Sequence, residues 1–133
     1  MRATAMPLVE VGASLHGRTV EQESLLGLLG DARVGLSEQR SDSYDVVVGD
    51  AFGHLVVPWH LATREMAADI ARVLRTDGVY AQNVIDYPPN RFIRAELATV
   101  ADVFPHVALI APPAALAGET GSNFVIVASK SPL

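Results

Sequence analysis

Along the second two-thirds of the chain the hydrophobic pattern switches between two periods, and the switches mark the elements. Tyr44-Asp45-Val46-Val47-Val48-Gly49-Asp50 is a short β-branched run ending at Gly-Asp, the pattern of a strand buried on both faces. After a turn with Gly53 and Pro58, Met66, Ala67, Ile70, Val73 and Leu74 recur at three-and-four spacing, while Arg64, Glu65, Asp69 and Arg72 fall off that stripe. This predicts a helix over His60–Arg75. Asp77-Gly78 supplies its stop, glycine being the residue that tolerates left-handed geometry past a helix end. Gly78–Ile85 then reads as a second strand. Pro88-Pro89 opens another helical segment to about Val103, with Phe92, Ile93, Leu97, Val100 and Phe104 as its apolar stripe. His106–Ile110 is a third strand, Pro112 to Ser122 a loop, and Phe124–Ala128 a fourth strand.

Strands alternating with helices of this length imply crossover connections. The expected class is α/β: a three-layer sandwich with a mostly parallel sheet, a partial Rossmann-like fold. No helix separates the last two strands, so that pair is expected to be antiparallel. The first 43 residues are patterned more weakly, with a strand expected at Met6–Val11, a short helix at Val20–Leu29 and a polar connection at Gly35–Asp42. We read 1–133 as one domain, 44–133 forming the α/β core and 1–43 an N-terminal segment that matches it poorly.

Composition narrows the functions. Half of the residues are hydrophobic, 19% are charged and the formal net charge is −5, a globular balance that argues against a partner bound through its phosphates. Nucleic acid is therefore not expected as a partner. There is no cysteine, which removes disulfides, thiolate metal sites and cysteine nucleophiles. Met1 to Pro7 lacks the apolar core of a signal peptide, and no run approaches the roughly 18 apolar residues of a membrane span. A cytoplasmic protein without a membrane partner is the expectation. His16, His54, His60 and His106 show no metal-ligand spacing, and no metal is expected.

In open α/β sheets ligands gather at the carboxyl ends of the strands. Asp50 closes the first strand, Asn83 and Asp86 lie at the end of the second, and Asp31 in Gly30-Asp31-Ala32-Arg33 could share the same rim. A carboxylate placed there can take a proton from an attacking amine or bind an amino group or a ribose. The competing reading is that Asp50 and Asp31 cap turns, as aspartate does routinely.

The run from Tyr44 to Phe52, Pro58, Leu61 to Met66 and Val73 to Val79 together resemble the spermidine synthase family of the class I S-adenosylmethionine-dependent methyltransferase-like superfamily. Val103 to Ala108, Ala117 to Gly121, Asn123 to Lys130 and the upstream Gly30-Asp31-Ala32 extend the resemblance across residues 30 to 130. It implies the C-terminal half of that fold, with the N-terminal donor-binding part shortened or missing. It also implies aminopropyl transfer from decarboxylated S-adenosylmethionine to a polyamine, with Asp31 and Ala32 at the adenine and Asp50 helping to deprotonate the amine. Asn83 stands where the family commonly has a glutamine, Asn83 and Asp86 are the candidate substrate contacts at that strand end, and no tightly bound cofactor is implied.

Two departures bear on this. The second acid that the family places shortly after the first is replaced by Gly53 in Asp50-Ala51-Phe52-Gly53-His54. Leu8 to Gly17 contains only Gly12 as a clean match to a glycine-rich donor turn, and Glu10 lies too close to Asp31 for two strand–helix units of about 30 residues each. The alternatives are accordingly a non-catalytic homologue that binds a nucleoside or dimerises, and a small-molecule methyltransferase using S-adenosylmethionine. If the strand ending at Asp50 has an open edge, either Met6–Val11 or a second chain should pair with it, and a homodimer is expected.

Overall fold

The structure is a computed structural model that describes residues 32–50 and 61–133. The expected Met6–Val11 strand, the Val20–Leu29 helix and Asp31 lie outside the described residues. The elements run α1 (Ala32–Ser37), β1 (Tyr44–Gly49), α2 (Arg64–Val73), β2 (Leu74–Asp86), α3 (Arg91–Ala101), β3 (His106–Ile110), α4 (Pro113–Leu116) and β4 (Ser122–Ser129). The strands form one sheet in the order β1-β2-β4-β3.

The β3–β4 pair is antiparallel as expected, but the mostly parallel sheet is corrected. Of the three pairings among the described residues, only β1–β2 is parallel. The chain turns back after β3, and β4 inserts between β2 and β3, so a reversed strand occupies what would otherwise be a parallel contact. The three-layer sandwich is not seen among the described residues either. Both crossovers, β1 to β2 and β2 to β3, step the same way across the sheet, and right-handed crossovers that do so place their helices on one face. In agreement, α2 and α3 touch each other and the sheet, and α1 packs on α2.

That covered face is the core. Val47, Tyr80, Val84, Phe124, Ile126 and Ala128 point from the strands into Met66, Ile70 and Val73 of α2 and Ile93 and Val100 of α3. Fully burying a side chain of this size contributes roughly 1.5–3 kcal/mol. The stripe expected on α2 is the one buried, apart from Leu74, which is buried as the first residue of β2. Helix α2 is shorter than expected at both ends. Thr63 caps its start, its Oγ1 accepting from the Met66 N–H at 3.2 Å. Glu65 in the first turn and Arg72 in the last suit the helix dipole.

The end of α2 differs in kind from the expected glycine stop. The chain passes from Val73 directly into β2, and Asp77-Gly78 belongs to an irregularity in that strand. Between Tyr44↔Leu74 and Val46↔Val79 the register shifts, β2 advancing further than β1. The carbonyls of this bulge are taken up from the C-terminal segment. Ser131 Oγ donates to Thr76 O at 2.9 Å, Ser129 Oγ to Gly78 O at 3.0 Å, and Lys130 Nζ to Leu74 O. Two smaller corrections follow the same logic of tertiary contact: Gly35–Ser37 is helical within α1, and the expected loop after β3 contains α4, anchored by the fully buried Ala115.

Candidate functional site

Because β1 and β2 are parallel, their carboxyl ends finish side by side, with Gly49 opposite Gln82. Asp50 follows directly and is exposed. Its Oδ1 accepts a hydrogen bond from Asn83 Nδ2 at 3.0 Å. The two residues are 33 positions apart in the chain, and the strand pairing alone brings them together. Gly49 keeps this end of β1 close to its neighbour: a Cβ there would stand 2.9 Å from the Tyr80 hydroxyl and 3.5 Å from Gln82 Cγ.

Asp86 sits further along β2 and is engaged differently. Its Oδ1 accepts from the Tyr87 N–H at 2.8 Å and its Oδ2 from the Ile93 N–H at 2.9 Å. The second bond satisfies a free donor in the first turn of α3. Asn90, at the N-cap position, makes no side-chain cap bond and has a left-handed backbone with φ 56°. Its Nδ2 instead donates to Ala115 O at 2.9 Å, which ties the β2–α3 connection to α4. Tyr87 lies so close to Gly121 that a Cβ there would fall 2.1 Å from Tyr87 Cδ1. The rim therefore combines one exposed carboxylate–amide pair with loops fastened to each other beside it. Ala32 is the first residue of α1.

An exposed carboxylate steadied by an amide can accept a proton or a hydrogen bond from an amine or hydroxyl of a ligand. Among the described residues no group of three or more His, Cys, Asp or Glu side chains could hold a metal ion. No described helix is long and apolar enough to cross a membrane.

Sequence reasoning missed a second amide–carboxyl contact under the same strand end. Glu96 of α3 is buried, and its Oε1 accepts from Gln82 Nε2 at 2.9 Å. Burial raises the Glu96 pKa, the Gln82 hydrogen bond opposing it by less. Tyr80 lies nearby, stacked on Phe104 with ring centroids 6.1 Å apart. Its phenol is held far above the usual range, first by burial and then by the Glu96 carboxyl. The signal for Glu96 was its position three after Ile93 and four before Val100, inside the apolar stripe of α3.

These features define the class: an α/β sheet with covering helices and an acid–amide pair at the carboxyl ends of adjacent parallel strands. No protein-family model and no curated protein matches the chain. Solved structures do. A probable spermidine synthase from Corynebacterium glutamicum superposes with a TM-score of 0.72 at 32% identity, over 77% of this chain and 37% of that one. Spermidine synthase from Thermotoga maritima gives 0.57 at 17% identity, over 77% and 34%. A spermidine synthase in complex with the transition state analogue AdoDATO gives 0.51 at 18% identity, over 69% and 29%. The latter two show the fold; the first extends the likeness to sequence. The chain is spermidine synthase-like, and it spans about a third of the length of the proteins it matches.

Proposed function

We propose that the rim site serves aminopropyl transfer from a decarboxylated S-adenosylmethionine donor to a polyamine. The observation that carries this reading is the exposed Asp50 carboxylate, held by Asn83 Nδ2 at 3.0 Å at the end of β1. In the proposed reaction the neutral amine attacks the carbon next to the donor's sulfonium sulfur. A C–N bond forms, the C–S bond breaks, and methylthioadenosine leaves with the bonding pair. Asp50 takes the proton the amine sheds and passes it to water. Asn83 orients the carboxylate, and Asp31 with Ala32 reads the adenine. Asp86 offers the lone pairs left by its two backbone bonds to the far amine of the acceptor.

The likeness to spermidine synthases, one of them solved with AdoDATO, supports the donor class. Gly53, where the family places a second acid, favours a second reading in which the chain binds a nucleoside without turning it over. Titration calorimetry of the chain with decarboxylated S-adenosylmethionine, S-adenosylmethionine and methylthioadenosine, repeated with Asp31→Ala, separates them from a chain that binds neither. Micromolar binding abolished by Asp31→Ala, with polyamine turnover lost in Asp50→Asn, is the expected result. Binding without turnover selects the second reading. No heat from any of the three near millimolar overturns both.

A further inference from the structure

Gln82 and Asn83 are neighbours on β2 and point to opposite faces. Gln82 projects beneath α3, where its Nε2 donates to Glu96 Oε1 at 2.9 Å. The pair is buried, Gln82 being 3% and Glu96 4% exposed. Two deficits remain. Gln82 Oε1 has no donor among the described residues, and Glu96 takes part in none of the ion pairs formed there. Buried acceptors are nearly always satisfied, and buried charges nearly always paired.

One proton removes both deficits. We infer that Glu96 is protonated in the folded chain and that its hydroxyl donates to Gln82 Oε1, closing a two-bond ring between a carboxylic acid and an amide. The ring fastens α3 to the sheet row in which Gln82 lies between Gly49 and Ile126. The direction in which burial moves the Glu96 carboxyl agrees with it.

The charged groups on the elements packed against α3 do not compete. From β2 the facing titratable group is Tyr80, which burial keeps as the neutral phenol. From α2, Arg64 pairs with Asp102 after the end of α3, and Arg72 with Asp69, leaving Glu65 exposed. His106 of β3 lies in the Val79–Ser129 row of the sheet, away from the Gln82–Ile126 row. Strand β4, Ser122–Ser129, carries no charged residue.

Since the folded acid holds its proton more tightly than the unfolded one, its contribution is complete below the ordinary glutamate value of about 4.5 and is lost as pH rises through the folded value. At its steepest, one such proton lowers the folding equilibrium constant about tenfold per pH unit.

The test is a carbon-13 titration of the glutamate carboxyls of the wild-type chain, together with urea unfolding from pH 4 to 8 for wild type and Glu96→Gln. One glutamate carboxyl resonance should stay at the protonated position at neutral pH. Glu96→Gln, which keeps two hydrogen bonds to Gln82, should delete that resonance and flatten the corresponding part of the pH profile. The absence of any protonated glutamate resonance at neutral pH in the wild type overturns the inference, whether or not the variant folds. So does a protonated resonance that survives in Glu96→Gln, or an unchanged pH profile in a folded variant.

Discussion

Two consecutive residues of β2 each hold a carboxyl group with a side-chain amide, and the two pairs do opposite things. Asn83 meets Asp50 at 3.0 Å on the exposed rim. Gln82 meets Glu96 at 2.9 Å beneath α3, where both are buried. The distances are the same within a tenth of an ångström, so geometry does not distinguish them; environment does. Outside, water satisfies what the pair leaves over, and the carboxylate remains open to a ligand. Inside, every remaining donor and acceptor must be found within the protein, which makes the pair a structural bond. The alternation of a strand, one residue inward and the next outward, lets a single dipeptide supply both.

The comparison can be broken most severely from the wall of the inner pair. Ile126 is fully buried and lies opposite Gln82 in the β2–β4 register. Ile126→Ala should cost about 2–5 kcal/mol through lost burial and the cavity left behind, read from urea midpoints. The inner pair itself comes next. Gln82→Ala strands the Glu96 carboxyl and should cost about 1–3 kcal/mol; a midpoint within error of wild type would show that the contact is not structural.

A control of smaller size is Thr63→Ala, which removes the cap of α2 and should cost about 1 kcal/mol. The smallest effect on stability is expected outside. Asn83→Ala should leave unfolding within about 0.5 kcal/mol of wild type, while lowering turnover by the proposed reaction. A large stability loss in Asn83→Ala would make the outer pair structural too, and the distinction between the two would fall.

Much of this was legible beforehand. The β-branched run Tyr44–Gly49 and the three-and-four stripe Met66, Ala67, Ile70, Val73 are local signals, and each became the expected element. Asp50 and Asn83 were found as strand-end residues from that pattern alone. Glu96 was hidden because its charge broke the apolar stripe of α3 only at one position, and a lone glutamate on a helix is ordinarily solvated. Asp77-Gly78 misled for a related reason. The pair carries a strong local turn signal, but Ser129, Lys130 and Ser131, more than fifty residues away in sequence, hold the backbone in a strand bulge.

What the order of residues determined by itself is therefore the kind and sequence of the four strands and of α2 and α3. These depend on side-chain spacing within a few residues. Tertiary structure alone decided that β4 enters between β2 and β3, that both crossover helices cover one face, that Asp86 turns to the start of α3, and that Gln82 finds Glu96. Each of these rests on a contact between residues that only chain reversal or strand pairing brings within hydrogen-bond or packing distance. Burial then decides what such a contact is for, and burial is a property of the assembled sheet and helices.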